Sequence, residues 1–380
     1  MAVISLIGAV QTLFYLILFN SKNKKFLSDY VLLLFLFLLG LVFLDNYLRN
    51  TGFYNIYPGL WGITYCFPLL IAPLMYYYTI LITMQVQKFD WRYLLLTLPF
   101  VLFFVYYMAT YYLLPVAHKI EYYNKASSQP WGMILAGEVF IIASGPVYAV
   151  LCLFRLHKHS NNIGKYFSFK EGISLQWLKS VSYLIILADI IMLLTNLFSD
   201  IIPVMTVETA DNILHTTNVI LVFYVGFMGF RQKAIYTSGD DKTSQAVNNQ
   251  MIETEVEVSK YVKSGLKDSE AEKYYRLLLA LIENEELYLN GKLSLKDVAG
   301  RLEISNNYLS QVINQKTGKN FFRFINEYRV EKAKQLLADK ASRYTILSIA
   351  YDCGFNSKSS FNTIFKEHTG KTPSEFLKSQ

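Results

Sequence analysis

Charged side chains are scarce in this sequence: Lys, Arg, Asp and Glu make up 17% of its 380 residues, whereas hydrophobic residues make up 53%. A chain with 29 Tyr and 27 Phe can bury ample apolar surface, which excludes intrinsic disorder. The few charges are also unevenly placed, since 42 of the 65 fall in residues 231–380. This asymmetry excludes one uniform soluble domain and predicts two parts that meet different solvents.

Cysteine is scarce too, and common catalytic motifs are missing. Cys66, Cys152 and Cys353 lie far apart and form no CxxC pair, so we expect reduced thiols in the core. The sequence has no HExxH, no GxSxG, no GxGD pair and no glycine-rich phosphate loop. His157 and His159 have no carboxylate or thiol near them in the sequence that could complete a metal site, which is typical of surface residues. We therefore predict no catalytic residue, no metal site and no cofactor, and a protein that is not an enzyme.

Seven apolar runs approach the length that crosses a bilayer, because a hydrocarbon core of about 30 Å needs about 20 residues in a helix. They occupy residues 1–19, 30–44 with flanks, 60–84, 94–114, 133–156, 181–198 and 213–230. The third run contains Pro68 and Pro73, which spanning helices tolerate when neighbouring groups satisfy the freed carbonyls. Residues 1–230 are therefore predicted to form a polytopic transmembrane helix bundle of about seven spans.

The basic residues of the loops predict the orientation of this bundle. Loops one, three and five carry ten Lys and Arg residues, whereas loops two, four and six carry three. Because basic loops stay in the cytoplasm, we expect a multi-pass protein of the cytoplasmic (inner) membrane with its N-terminus outside and its C-terminal domain inside. The first run is interpreted as a retained span, not a signal peptide, since Lys22, Lys24 and Lys25 follow it and no basic residue precedes it.

Two ionisable residues of the predicted spans, Glu138 and Asp189, need an explanation because a charge at bilayer depth is costly. One interpretation is intramembrane sensing, in which they face the bundle interior and contact a ligand or relay a proton. The other is packing, in which each residue forms hydrogen bonds across helices. The sequence leaves both interpretations open.

The composition turns polar after the seventh run, and residues 231–268 are interpreted as a linker. From Ser269 the sequence reads SEAE, which resembles a capping box and opens an amphipathic helix. The apolar stripe of that helix must pack on the following domain or on a second copy of the chain. Residues 269–380, with a core at 285–380, are predicted to form a C-terminal domain.

Residues 291–380 contain a near-repeat in which two short helices are joined by a tight turn. In the first unit Ser294 is the expected N-cap, Ala299 lies where the helices cross, and the turn falls at 303–305. In the second unit Ala350 takes the equivalent place, before a turn at 354–356. A longer helix, roughly residues 320–339, bridges the units. The pattern is typical of two helix-turn-helix units, so the predicted fold class is all-α, a transmembrane bundle plus a double helix-turn-helix domain.

The outward faces of the second helices suit a DNA major groove, because Asn and Gln bond adenine, Ser and Thr bond several bases, and Lys bonds guanine or phosphate. The predicted DNA-binding residues on these helices are Asn306, Asn307, Ser310, Gln311, Asn314, Ser357, Lys358, Ser359, Asn362, Thr363 and Lys366. Candidates for phosphate contacts are Lys316, Lys319, Arg323 and Arg329, although Arg329 could equally be an internal salt-bridge partner. Residues 286–380 carry 15 Lys and Arg against 9 Asp and Glu, which suits a polyanion.

The C-terminal sequence resembles the DNA-binding domain of AraC/XylS-type bacterial transcription regulators over residues 285–380. The resemblance is carried by the runs SLKDVAGRLEISNNYLSQVINQKTGKNFFRFINEYRVEKAKQLL and ILSIAYDCGFNSKSSFNTIFKEHTGKTPSEF. It implies that the second helix of each unit contacts bases. The soluble sugar-binding barrel common in the family is replaced here by the predicted spans, so the resemblance does not extend to an arabinose-like ligand.

The leading hypothesis is a membrane-embedded, one-component transcription regulator whose seventh span and linker pass a signal to the helix-turn-helix units. The expected partners are double-stranded DNA, the lipid bilayer and an unknown signal ligand, with a second copy of the chain and RNA polymerase as further candidates. One alternative is a transporter-like or enzymatic bundle with a regulatory DNA- or protein-binding tail. Another makes the basic tail a scaffold for a cytoplasmic protein.

Overall fold

The computed structural model describes residues 2–23, 25–84, 90–126, 133–170, 173–198, 204–232, 268–338 and 345–379, without the side chains at 84, 122–126, 133–139, 196, 207 and 268. The predicted linker, residues 231–268, lies almost wholly outside the described residues. Two compact units form, which are described separately. The first runs from the N-terminus to Leu156 and resumes at Leu175, and the second joins His157–Ser174 to the C-terminal part of the chain.

The first unit is built from helices. Its helices are α1 (Ala2–Asn20), α2 (Leu27–Asn50), α3 (Phe53–Ile56), α4 (Pro68–Met84), α5 (Leu98–Tyr107), α6 (Val116–Ala126), α7 (Met133–Tyr166), α8 (Gln176–Asn196) and α9 (Val207–Arg231). α7 continues past Leu156, so its last residues belong to the second unit.

Six helical stretches among the described residues are long and apolar enough to cross a membrane. They are Ala2–Asn20, Leu27–Asn50, Trp91–Tyr112, Phe140–Tyr166, Gln176–Thr195 and Glu208–Arg231. Large apolar side chains on them point away from the interior of the unit: Val3 is 70% exposed and Phe154 is 71% exposed. An outward apolar surface of this kind is what lipid tails favour and water does not.

The third predicted span, residues 60–84, is not one helix, which corrects that prediction. Turns occupy the stretch up to Phe67, and α4 begins only at Pro68, where a missing amide hydrogen is tolerated at a helix start. Its 17 residues rise by about 26 Å, which is near the lower limit for a helix that spans a hydrocarbon core of about 30 Å. Carbonyls in the preceding turn accept hydrogen bonds from tyrosines of another stretch: Tyr111 Oη lies 3.1 Å from Trp61 O, and Tyr112 Oη lies 2.6 Å from Gly62 O.

The core of the first unit lies where α1, α2, α4, α8 and α9 meet. Close approach depends on glycine, because a Cβ at Gly226 would overlap the Tyr15 ring and a Cβ at Gly8 would overlap the Phe43 ring. Small residues at helix contacts allow the van der Waals packing that holds helices together in lipid.

The second unit contains the predicted helix-turn-helix pair. Its helices are α10 (Asp268–Asn284), α11 (Leu295–Arg301), α12 (Asn306–Thr317), α13 (Phe321–Ala338), α14 (Ile346–Asp352), α15 (Lys358–Thr369) and α16 (Pro373–Lys378). The caps explain the boundaries: Ser294 Oγ accepts a hydrogen bond from Asp297 N, and Thr345 Oγ1 accepts one from Ser348 N. Ser294 is thus the N-cap that the sequence predicts.

Each helix-turn-helix unit closes over its own apolar contacts. Leu309, Val312 and Ile313 of α12 are fully buried. Val330, Ala333 and Leu337 of the bridging helix α13 pack with the buried residues of α14 and α15. Ala299 and Ala350 are also buried, where a larger side chain would hold the paired helices apart.

The amphipathic helix predicted from Ser269 is α10, and it packs on α12 of the same domain. The rings of Tyr274 and Tyr308 lie 5.4 Å apart edge to face, and Glu272 pairs with Lys316 at 3.0 Å. Of the two partners that the sequence leaves open for this stripe, the structure supports the following domain.

The structure confirms the predicted burial of the cysteines, but only one of the two histidines lies on the surface as predicted. Cys66, Cys152 and Cys353 are buried, as expected. Burial raises the pKa of the Cys353 thiol to about 12, which keeps it protonated near neutral pH. His157 is exposed, but the prediction that His159 lies on the surface is wrong. The His159 ring is 6% exposed, with Nε2 3.1 Å from the Ile173 carbonyl oxygen.

Glycine at position 354 is required by the turn between α14 and α15. Its φ is +82°, and a Cβ there would lie 2.6 Å from Tyr288 O and 2.7 Å from Leu289 O. We expect Gly354→Ala to lower the free energy of unfolding of the second unit by roughly 2 kcal/mol or more, as measured by hydrogen exchange of the full-length protein. Gly300→Ala is the matched control, since Gly300 has open space around it and lies inside α11. Equal exchange in the two variants would contradict the steric requirement.

Candidate DNA-binding surface

The α12 face opposite the buried residues carries the predicted base contacts of the first unit. Gln311 and Asn314 are exposed, and Asn306, Asn307 and Ser310 are half-buried. Ser305 caps the helix by accepting a hydrogen bond from Tyr308 N at 3.2 Å, which fixes the start of α12 just before the first of these side chains. The face is thus polar, uncharged and open at Gln311 and Asn314.

The corresponding face of α15 is more basic. Lys358, Ser359, Thr363 and Lys366 are exposed and Asn362 is half-buried, whereas Phe361, Ile364 and Phe365 form the buried face. Ser357 plays a different part from the others, since its Oγ caps the helix by accepting a hydrogen bond from Ser360 N at 3.1 Å. A capping hydroxyl fixes the position of α15, and its contact with a base stays a prediction.

The predicted phosphate contacts near α13 differ in their surroundings. Lys316 pairs with Glu272 at 3.0 Å, Lys319 pairs with Glu327 at 2.7 Å, and Arg323 is exposed. Surface ion pairs of this kind contribute little to stability, because solvent screens them. A phosphate can therefore replace the carboxylate at either lysine at small cost.

Arg329, the fourth candidate, is an internal residue. Its side chain is 1% exposed. Nε donates to Tyr288 O at 2.7 Å, and Nη2 donates to Asn290 O at 2.8 Å. Of the two roles left open for Arg329, only the internal one agrees with this burial, and the partners include main-chain carbonyls.

Arg329 also binds a segment far away in sequence. Nη1 donates to Ser168 O at 2.8 Å and Nη2 donates to Ser168 Oγ at 2.9 Å. Ser168 in turn donates from N and Oγ to Leu293 O, at 3.2 and 2.7 Å. Asn326 Nδ2 donates to Ser168 O at 3.1 Å, and Phe167 forms an isolated antiparallel bridge with Ser294. We call residues 163–170 the docking segment.

Sequence reasoning missed the docking segment because it falls in predicted loop five, between two apolar runs. Ile163, Phe167 and Ser168 are at most 2% exposed, and Lys170 Nζ lies 4.3 Å from the centroid of the Phe322 ring. The cluster of aromatic residues in YFSFK is the available signal, but it does not identify a partner. The segment is folded together with the C-terminal helices.

The two candidate sensing residues belong to the first unit. The side chain of Glu138 is outside the described residues. Asp189 is half-buried on α8, and its Oδ2 is buried with no hydrogen-bond partner among the described residues. Within the described part of the chain no group of three or more His, Cys, Asp and Glu could hold a metal ion.

Known proteins resemble the C-terminal part of the chain. A model of the helix-turn-helix domain family matches residues 298–379. A helix-turn-helix-type transcriptional regulator in the cgkA 5' region of Pseudoalteromonas carrageenovora is 31% identical over 117 residues, which are 30% of this chain and 68% of that protein. The transcriptional activator RhaS of Escherichia coli O1:K1 is 31% identical over 111 residues, 29% of this chain and 39% of RhaS.

A solved structure resembles the same part. The C-terminal domain of the two-component response regulator yesN from Fusobacterium nucleatum is 28% identical and covers 28% of this chain and 98% of that domain, with a TM-score of 0.25. The sequence matches show that the chain belongs to the helix-turn-helix transcriptional regulators. Its C-terminal domain is of the AraC/XylS type, and it is a domain that binds double-stranded DNA.

Gln311 gives the sharpest test of the recognition surface because its side chain is exposed on α12. We expect Gln311→Ala to relax the preference of the protein for its operator by about 1–3 kcal/mol at one base pair, since a bidentate contact is lost. The measurement is competitive binding of full-length protein to operator variants with each base pair replaced. Gln335→Ala on α13 is the control, as Gln335 is exposed on a different helix. If Gln311→Ala has the same base-pair preference as the unchanged protein, Gln311 does not contact a base.

Proposed function

We propose that the chain is a membrane-embedded, one-component transcription regulator, in which a signal sensed by the helical bundle controls sequence-specific binding of duplex DNA. The observation that carries the proposal is the set of hydrogen bonds from Arg329 to Ser168. It brings a loop between two apolar helices into the fold of the DNA-binding domain. A change in the bundle thereby has a physical path to the helix-turn-helix units.

Membrane embedding is supported by three independent features. Six stretches are long and apolar enough to span a bilayer. Their outward side chains are largely apolar. The basic residues concentrate in loops one, three and five, and loop five, which contains Ser168, is bonded to the C-terminal domain. The charge rule favours a cytoplasmic loop five, and the contact supports a DNA-binding domain on the same side as that loop.

Signal transfer through the docking segment adds a route to the one expected from the sequence. The sequence points to the seventh span and the linker, and the linker lies outside the described residues. The docking segment instead follows the bundle directly, since α7 extends to Tyr166 and Ser168 comes two residues later. A second copy of the chain and RNA polymerase stay predicted partners that the described residues do not test.

Membrane vesicles of opposite orientation test the proposal. Inside-out vesicles carrying the full-length protein should retain specific fragments from sheared genomic DNA, because they expose the cytoplasmic face. Their DNA binding should fall with added salt, with a slope near −0.9 per phosphate contacted. Right-side-out vesicles with the same protein should retain none. Retention by right-side-out vesicles, or by neither kind, would contradict the proposal.

Ser168→Ala tests the docking segment. The change removes an acceptor of an Arg329 N–H and a donor to Leu293 O, and a buried unpaired donor costs about 1–3 kcal/mol. We expect amides of residues 288–294 to exchange roughly tenfold faster or more in the full-length protein, measured by mass spectrometry. Ser180→Ala is the matched control, since that hydroxyl is exposed and bonds only within its own helix. Unchanged exchange in Ser168→Ala would show that this hydroxyl does not hold the domain.

A further inference from the structure

The first unit contains a cavity of about 400 Å³ lined by residues of α2, α4, α7, α8 and α9. This volume lies in the range of sites that hold small organic molecules. Much of the wall is apolar, with Phe35 and Leu39 from α2, Ile71 and Met75 from α4, and Ile185 from α8. An occupant must therefore present a hydrocarbon surface to most of the cavity.

One carboxyl group in the cavity wall has a buried oxygen without a hydrogen-bond donor among the described residues. Asp189 lines the cavity, and its Oδ2 is buried without a hydrogen-bond partner among the described residues. Such a group is costly unless a donor reaches it. Its neighbour on α7 is Gly145, where a Cβ would overlap Oδ2. The absence of a side chain at Gly145 is what lets the carboxyl lie against α7.

The charges around the cavity favour a cation. Asp189 and Asp211 both line it, and the basic side chains in the lining are Arg49 and the imidazole of His215. Arg49 is already paired with Asp45 at 3.3 Å, a carboxylate that also accepts a hydrogen bond from Tyr54 at 2.6 Å. Asp45 thus partly neutralises the positive charge of the Arg49 guanidinium. The carboxyl groups of Asp189 and Asp211 therefore favour a positively charged occupant of the cavity.

We propose that this cavity binds a small amphipathic organic amine, whose ammonium group donates to Asp189 and whose apolar body lies along Phe35, Ile71 and Met75. The inference rests on the proposed function, because it names the chemical class of the signal. A cation at Asp189 changes the contact of this carboxyl with Gly145 of α7. α7 is the helix that leads to the docking segment.

The experiment uses full-length protein in phosphatidylcholine nanodiscs and three probes with one hydrocarbon body: octylamine, octanol and octanoate. Saturable binding is measured by calorimetry, with protein-free nanodiscs correcting for partition into lipid. We expect octylamine to bind more tightly than the other two, and Asp189→Asn to weaken it about tenfold or more through loss of a charge-assisted hydrogen bond. Ala72→Phe, which adds a ring at a residue of the cavity lining, should weaken all saturable binding.

Glu208→Gln is the matched control, because Glu208 is an exposed acid of α9 outside the cavity lining. It should leave octylamine binding unchanged. The inference is overturned if octanoate binds more tightly than octylamine, if Asp189→Asn binds the amine as well as the unchanged protein does, or if no probe saturates. DNA retention by inside-out vesicles is scored separately, so a failure here with retained DNA binding leaves the proposed function standing.

Discussion

The hydrogen bonds of the Arg329 guanidinium are the contact on which this structure depends. A buried guanidinium is costly unless its N–H donors are satisfied, and removing one partner of such a network leaves others unpaired. The acceptors come from the chain before the first helix-turn-helix unit, at Tyr288 and Asn290, and from Ser168. One side chain therefore fixes the bridging helix α13, the entry to the first unit and the docking segment together.

In the proposed membrane-embedded protein, this contact constrains how the chain crosses the bilayer. Ser168 and Arg329 lie on the same side of any bilayer, so the chain between them must cross it an even number of times. Two apolar stretches in that interval, Gln176–Thr195 and Glu208–Arg231, are long enough to do so. The distribution of Lys and Arg supports the proposal that this side is the cytoplasm. The contact shows only that the two segments lie together, and the proposed orientation comes from the charge count.

The sequence predicted best those features of the fold that interactions between neighbouring residues determine. Ser294 caps its helix and Leu309, Val312 and Ile313 are buried because capping and helical periodicity act within a few residues. It predicted less well where contacts distant in sequence decide the structure. Residues 60–84 form one apolar run in the sequence, but turns precede Pro68 in the structure. Tyrosines of another stretch donate hydrogen bonds to the carbonyls of those turns. The pairing of Arg329 with Ser168 joins residues 161 positions apart, and no periodicity encodes such a partner.

The shared side of loop five and the C-terminal domain is tested most directly by alkaline phosphatase, which is active only outside the cytoplasm. It would be fused after residue 168 in one protein and after residue 380 in another, and its activity measured in intact cells. We expect both fusions to be inactive while being produced in full. An active phosphatase at either position would contradict the account, because the docking segment and the DNA-binding domain could then not meet in the cytoplasm.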